Sequence, residues 1–395
     1  MIRLKQNRYL ARRCISIDES LLNIEESLKR RRKAILNEAE TRGFETVVFI
    51  NEIVDQNPSN FIYVSPEGLG DEQQSLVLNV RGDVILVTPH WGAKKAEESG
   101  KYTKVIAIRQ EKIHHMRGTA VALSGYNPGK VCFDLSTMSA QFSYSLAEVL
   151  HMQINEKKDI SSFIFTLRSI KDIYEVEEIS KAVELTEKAF WELYSSAKPG
   201  KDLWTLKKTL DARMIELGAI DRSFDSSLSL CNGSRSPSGE VRNGDMLSVD
   251  VGCRLPNGYC SDMGRTWSVG TPKPEEQKFL ERIAEAQTEG FKNITEGVSG
   301  NEVLRKANTI NQRLDFAPAL RCGHQIGLEC HDYTMPYAPN FGTIEADALK
   351  LKAGMTLTYE PTRIDTKLAL RSHIEDIILI TKGAPEVLNK APWLL

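Results

Sequence analysis

The chain has 395 residues, with 51 Lys and Arg against 53 Asp and Glu, for a net charge of −2. That length suits about two or three domains, and 41% hydrophobic with 26% charged residues marks a globular rather than a disordered chain. The balance of charge argues against nucleic acid or an anionic membrane as partner, and no apolar run approaches the ~20 residues that cross a bilayer.

In chain order, the opening MIRLKQNRYLARR has no apolar signal-peptide core, so a cytoplasmic address is expected. The first part is charged and helical in pattern, and its basic run Lys29–Lys33, with no aromatic residues interleaved, reads as a solvated helix face. Between Gly43 and Ser162 short β-rich runs (Glu45–Ile50, Ser75–Val80, Asp83–Val87, Lys104–Ile108, Val131–Leu135) alternate with helical or turn-rich stretches. Asn79–Asp83 predicts a hairpin turn, Ser139–Val149 a helix, and the whole an α/β module with a mixed sheet. Asp172–Tyr194 predicts an amphipathic helix stopped by Lys198-Pro199-Gly200, and Leu203–Leu217 a second helix. The expected division is a module of residues 1–165 and a larger one of residues 166–395. Seven cysteines, an odd number with no C-x-x-C pair, read as small core residues rather than a disulfide framework.

The chemistry concentrates in three segments of the second module. In Leu247–Val269 two β-like runs flank the turn Pro256-Asn257-Gly258, with Asp250 and Asp262 equidistant from Pro256. A hairpin symmetric about Pro256 would set these carboxylates directly opposite one another, which is destabilising unless a cation lies between them. Glu360 and Glu375 repeat the arrangement, since their midpoint falls within Asp365–Leu368, between Leu357–Glu360 and His373–Leu379. Between the two hairpins, Arg321–Asp332 supplies His324 and His331. Four carboxylates and an imidazole suit Mn²⁺, Fe²⁺, Co²⁺ or Zn²⁺, and such a set can hold two ions that polarise a shared water.

These segments resemble the pita-bread metallopeptidase family of methionine aminopeptidase, aminopeptidase P, prolidase and creatinase. The resemblance rests on Asp250-Val251-Gly252, Tyr259 to Thr266 (YCSDMGRT), Gly323 to His331 (GHQIGLECH), Glu360-Pro361 and Ile374-Glu375-Asp376. Upstream, Arg168–Asp172 and the helix after it look like the family's domain junction. The implied fold is α/β (α+β): a creatinase-type N-terminal domain followed by a pita-bread catalytic domain. The resemblance further implies that Asp250, Asp262, His324, Glu360 and Glu375 hold two divalent ions per chain. Asp262, His324 and Glu360 would favour one ion and Asp250 the other, with Glu375, and Asp262 as well, bridging them. Glu360 would accept a proton from the bridging water, and His331 would contact substrate or steady the developing oxyanion. A homodimer, in which each N-terminal domain closes over the partner's site, is also implied.

Three features depart from the family pattern. No histidine lies between His151 and His324, so the proton-relaying histidine that precedes the first metal aspartate is missing; Ser234 and Arg235 stand nearest its place as substrate-binding candidates. The arginine expected two residues before the last metal glutamate is His373, with Arg371 two positions earlier and Thr362 where a glycine commonly follows Glu-Pro. Arg371 is therefore expected to bind substrate, and His373 either to supply the missing acid–base function or to pack structurally. His90, His114 and His115 are further stand-ins, each read on position alone as a surface residue. The leading expectation is a divalent-metal-dependent hydrolase that cleaves an amide bond in a short peptide, Xaa-Pro peptidase-like. The alternatives are cleavage of a C–N bond in a small non-peptide metabolite and, third, a non-catalytic binding protein.

Overall fold

The computed structural model describes residues 23–52, 59–65, 73–109, 111–231, 239–332 and 350–395. The N-terminal module opens with helix α1 (Ile24–Thr41), whose first turn is capped by Asn23 accepting from the Glu25 amide. Strand β1 (Thr46–Asn51), helix α2 (Ser59–Val64), strands β2 (Gln74–Asn79) and β3 (Val84–Pro89), helix α3 (His90–Glu98) and strand β4 (Lys104–Ile108) follow. Helix α4 (Lys112–Leu123), strand β5 (Val131–Phe133) and helices α5 (Ala140–Leu150) and α6 (Ser161–Ser169) complete the module.

The five strands form one sheet in the order β4-β3-β2-β1-β5, antiparallel within β1–β2–β3 and parallel at both edges. The predicted mixed sheet and the Asn79–Asp83 turn are both present; Gly82, at φ 95°, returns its amide to the Asn79 carbonyl. β1 and β2 are buried throughout, so they read as continuous apolar runs rather than alternating ones. His115 lies inside this module and not on its surface: α4 packs on the sheet, and the ring meets Ser75 Oγ at 2.7 Å.

The second module begins with α7 (Ile173–Ser196), whose capping box joins Asp172 and Glu175. It continues through α8 (Leu203–Glu216), β6 (Asp221–Arg222), β7 (Ser227–Leu230), β8 (Met246–Val251), β9 (Cys253–Arg254) and β10 (Met263–Ser268). Helices α9 (Pro274–Phe291) and α10 (Gly300–Arg313) come next, and the chain ends in β11 (Thr356–Tyr359), β12 (Arg363–Asp365), β13 (Leu370–Ser372), β14 (Asp376–Leu379) and β15 (Glu386–Val387). Sheets β10-β8-β7 and β11-β14-β15 meet where Gly264 and Glu375 exchange backbone hydrogen bonds of 3.2 and 3.1 Å. Buried Arg265 fastens this seam, donating to the Glu375 carbonyl (2.8 Å) and to Asp376 Oδ1 (2.6 Å).

The two modules share a core: Phe61, Ile62 and Tyr63 of α2 belong to one buried apolar cluster with Tyr259, Ile326, Leu328 and Ile377. Beside it, buried Arg168 donates to Ser59 Oγ (2.8 Å) and Asn60 Oδ1 (2.6 Å) and pairs with Asp332, which also accepts from Lys171 at 3.1 Å. Among the described residues no helix is long and apolar enough to cross a membrane.

Candidate metal centre

The β8–β10 hairpin departs from the symmetry expected of it. Asp250 pairs with Gly264, not with Asp262, because the three-residue loop Pro256–Gly258 centres on Asn257. Gly258 takes φ 90° there, and its amide returns to the Leu255 carbonyl. Asp262 is thus two residues short of the position opposite Asp250. Side chains alternate with a period of two, so it still faces the same side of the sheet, diagonally. The second hairpin keeps its predicted register: Tyr359 pairs with Asp376 and Arg363 with Ser372, which sets Glu360 level with Glu375.

His324 enters from the segment before β11. Its backbone is tied to Thr358 by two bonds, and its Nδ1 lies 3.0 Å from the Gln325 carbonyl, so Nε2 faces the carboxylates. From Nε2 the distances are 3.5 Å to Asp262 Oδ2, 3.6 Å to Glu375 Oε1 and 3.8 Å to Glu360 Oε1. On the other side of Glu375, Oε2 is 3.0 Å from His373 Nε2, which lies 3.5 Å from Asp250 Oδ2. Asp262, His324, Glu360 and Glu375 are buried, while Asp250 is half-buried.

The electrostatics of the cluster call for a cation. Burial, and then the Glu375 charge, push the Asp262 carboxyl well above the usual range and Glu360 up to about 7. Burial disfavours the Glu375 carboxylate too, but the neighbouring His324 and His373 imidazoles outweigh it and hold Glu375 low. Both imidazoles are raised by their carboxylate partners against the opposing effect of burial. Asp262 Oδ1 and Glu375 Oε1 are buried and accept no hydrogen bond. Two groups, Asp262–His324–Glu375 and Asp250–His373–Glu375, each place their donor atoms within 4.8 Å of one another. Glu375 belongs to both, one oxygen to each, and the oxygen-rich donor set fits a pair of divalent ions.

His331 stands beside this cluster, its ring 4.2 Å from that of His324. Burial, and then the His324 charge, lower it to about 4, so it is neutral at pH 7. A cleft over Asp250 and Glu360 is lined by Arg371, His373 and Thr362, and also by Arg321, Ser229 and Ser248, which the sequence reading did not single out. Cys330, one of the cysteines read from the sequence as small core residues, donates from Sγ to Asp262 Oδ2 at 3.1 Å. Ser234 and Arg235 lie outside the described residues. Of the other histidines, His90 is exposed and His115 is enclosed in the N-terminal module.

A site of this composition on this scaffold is that of a metal-dependent hydrolase. The family model of metallopeptidase family M24 matches residues 177–382, more than half of the sequence, and the chain belongs to that family. It is 30% identical over 257 residues to the Xaa-Pro dipeptidase of Pyrococcus furiosus, across 63% of this chain and 71% of the relative. Among solved structures it resembles an Xaa-Pro dipeptidase from Bacillus anthracis with a TM-score of 0.76, at 22% identity over 94% of this chain and all of the other. The X-Pro aminopeptidase from Thermotoga maritima MSB8 gives a TM-score of 0.75, at 19% identity over 91% of this chain and all of that one. These two likenesses establish the two-domain fold, a creatinase-like N-terminal domain on a pita-bread domain.

Proposed function

We propose that the chain hydrolyses an amide bond in short peptides of the Xaa-Pro kind, with Asp250, Asp262, His324, Glu360 and Glu375 holding two divalent ions. The observation that carries this reading is the division of the Glu375 oxygens between two donor groups, beside two buried carboxylate oxygens that lack a partner. Ions bound there would supply Lewis-acid polarisation and an acidified water.

The chain's own groups complete the arrangement. Glu360 is proposed to take up and return the proton of that water, a role its place in the family pattern supports. Neutral His331 offers a ring N–H to a substrate carbonyl without bringing a charge of its own. Arg321 and Arg371 line the cleft beside Glu360 and supply the positive charge that would orient a substrate carboxylate. Ser234 and Arg235 are proposed to flank the substrate, a role their place in the sequence supports. The family resemblance supports a homodimer, which light scattering of the purified protein would check.

The deciding experiment is a panel of Xaa-Pro dipeptides and longer Xaa-Pro peptides assayed with added Mn²⁺ or Co²⁺. Robust turnover, abolished in Asp262→Ala, supports the proposal. Turnover of small amides or amidines in place of every peptide would establish the second reading, which the histidine at position 373 and the polar cleft favour. An Asp262→Ala protein with unchanged biological activity would leave a binding protein.

A further inference from the structure

We propose that His373 is a metal ligand, so that each of the two ions is held by one imidazole. This rests on the dinuclear reading and goes beyond it. The resemblance assigns no nitrogen donor to the Asp250 side of the site, and the acid–base role expected of His373 would require its ring nitrogen to stay free.

The first support is distance. Metal–ligand bonds of ~2.0–2.2 Å in tetrahedral or octahedral geometry set neighbouring donor atoms roughly 2.8–3.6 Å apart. His373 Nε2 lies 3.0 Å from Glu375 Oε2 and 3.5 Å from Asp250 Oδ2, both within that range. All three donor atoms lie within 4.8 Å of one another, close enough to share one ion, and His324 makes the matching arrangement with Asp262 and the other Glu375 oxygen. A guanidinium at position 373 has no lone pair to offer; an imidazole has one.

The second support is the space made for the ring. Gly264 pairs directly with Asp250, and a Cβ there would sit 2.3 Å from His373 Cδ2 and 3.1 Å from Glu375 Cβ. Gly264 is not at positive φ, so its backbone does not require a glycine; the ring above it does. The His373 backbone is anchored as well: its amide donates to Thr266 Oγ1 at 2.9 Å, and that hydroxyl donates to its carbonyl at 3.0 Å. Glycine and histidine therefore act as a pair, one vacating the room the other fills. A nitrogen donor on each ion moves the site's preference away from Mn²⁺ and towards Co²⁺ or Zn²⁺.

The test is Co²⁺ binding by calorimetry and elemental analysis on the full chain, for the wild type, His373→Ala and Gly264→Thr. The wild type is expected to bind two ions, and each variant to keep one tight ion while binding the second at least roughly tenfold more weakly. X-ray absorption of the cobalt-loaded wild type should show an average of about one imidazole per ion. About half an imidazole per ion, or His373→Ala holding both ions with unchanged affinity, overturns the inference and leaves the dinuclear site standing. A wild type that binds fewer than two ions overturns both. Should either variant fail to fold, the absorption spectrum of the wild type decides alone.

Discussion

Asp332 follows His331 directly and is enclosed with two cations, pairing with Arg168 and accepting from Lys171 Nζ at 3.1 Å, all three buried. Removing the shared anion leaves buried Lys171 without its carboxylate and Arg168 with only the more distant Glu329, at 3.8 Å, which costs about 3–5 kcal/mol. Asp332→Ala should therefore lower the urea midpoint by that free energy divided by the slope m, with m unchanged, and a midpoint within experimental scatter of the wild type would refute the account. His115 gives a pH signature. Burial holds its imidazole at about 4, whereas in the unfolded chain it titrates near ~6.5. Below ~6.5 the unfolded chain binds a proton that the folded one refuses. His115's contribution is thus complete above that pH and is lost progressively towards 4, roughly 3 kcal/mol in all. His115→Gln should flatten the acid limb of the melting-temperature profile between those limits; an unaltered limb would assign it to other groups.

At the level of elements, the approach of the His324 segment to β11 depends on one residue. Gly323 has φ 151°, and a Cβ there would lie 2.0 Å from the Thr358 carbonyl oxygen. The ladder continues on both sides of it, Thr358 donating to the His324 carbonyl at 2.8 Å and Glu360 to that of Cys322 at 2.9 Å. Gly323→Ala must therefore part the strand that carries Glu360 from the segment that carries His324. A loss of about 3 kcal/mol is expected in the metal-free protein, together with weaker Co²⁺ binding. A variant that melts like the wild type would show that the backbones separate without strain. The hairpins show what the sequence could convey. Spacing alone gave the β11–β14 register, because Glu360 and Glu375 flank a connection that pairs symmetrically. In β8–β10 the same arithmetic missed by two residues: Pro256 begins the loop and Asn257 is its centre. Asp250 and Asp262 still face the same side of the sheet, since a shift of two preserves the face. The contacts of Cys330 with Asp262 and of Arg168 with Asp332 were not legible, because each joins segments far apart in sequence whose meeting is decided by packing.

For the whole molecule, the proposed ligands lie on β8, just before β10, before β11, just after β11 and just before β14, so bound cations would brace both halves of the second module. Without cations the cluster moderates its own repulsion by keeping protons, as the raised Asp262 carboxyl and Glu360 at about 7 show. Binding must displace those protons, so affinity should fall as the pH drops through about 7, and calorimetric heats should vary with the ionisation enthalpy of the buffer. The same linkage acts on stability. A metal ion that binds only the folded chain at a free concentration of about 100 times Kd adds about 2.7 kcal/mol. For 395 residues unfolding together, at about 2.1 cal/mol/K per residue, that amounts to roughly 3 °C in Tm. Because α2 shares its buried cluster with Tyr259, Ile326 and Leu328, the gain should raise a single transition of the whole chain rather than split it. Calorimetric scans across a Co²⁺ series should show Tm rising with the logarithm of free metal, with EDTA cancelling the rise and Asp262→Asn abolishing most of it. A Tm indifferent to metal in the wild type would mean that the cluster does not hold cations in the folded state.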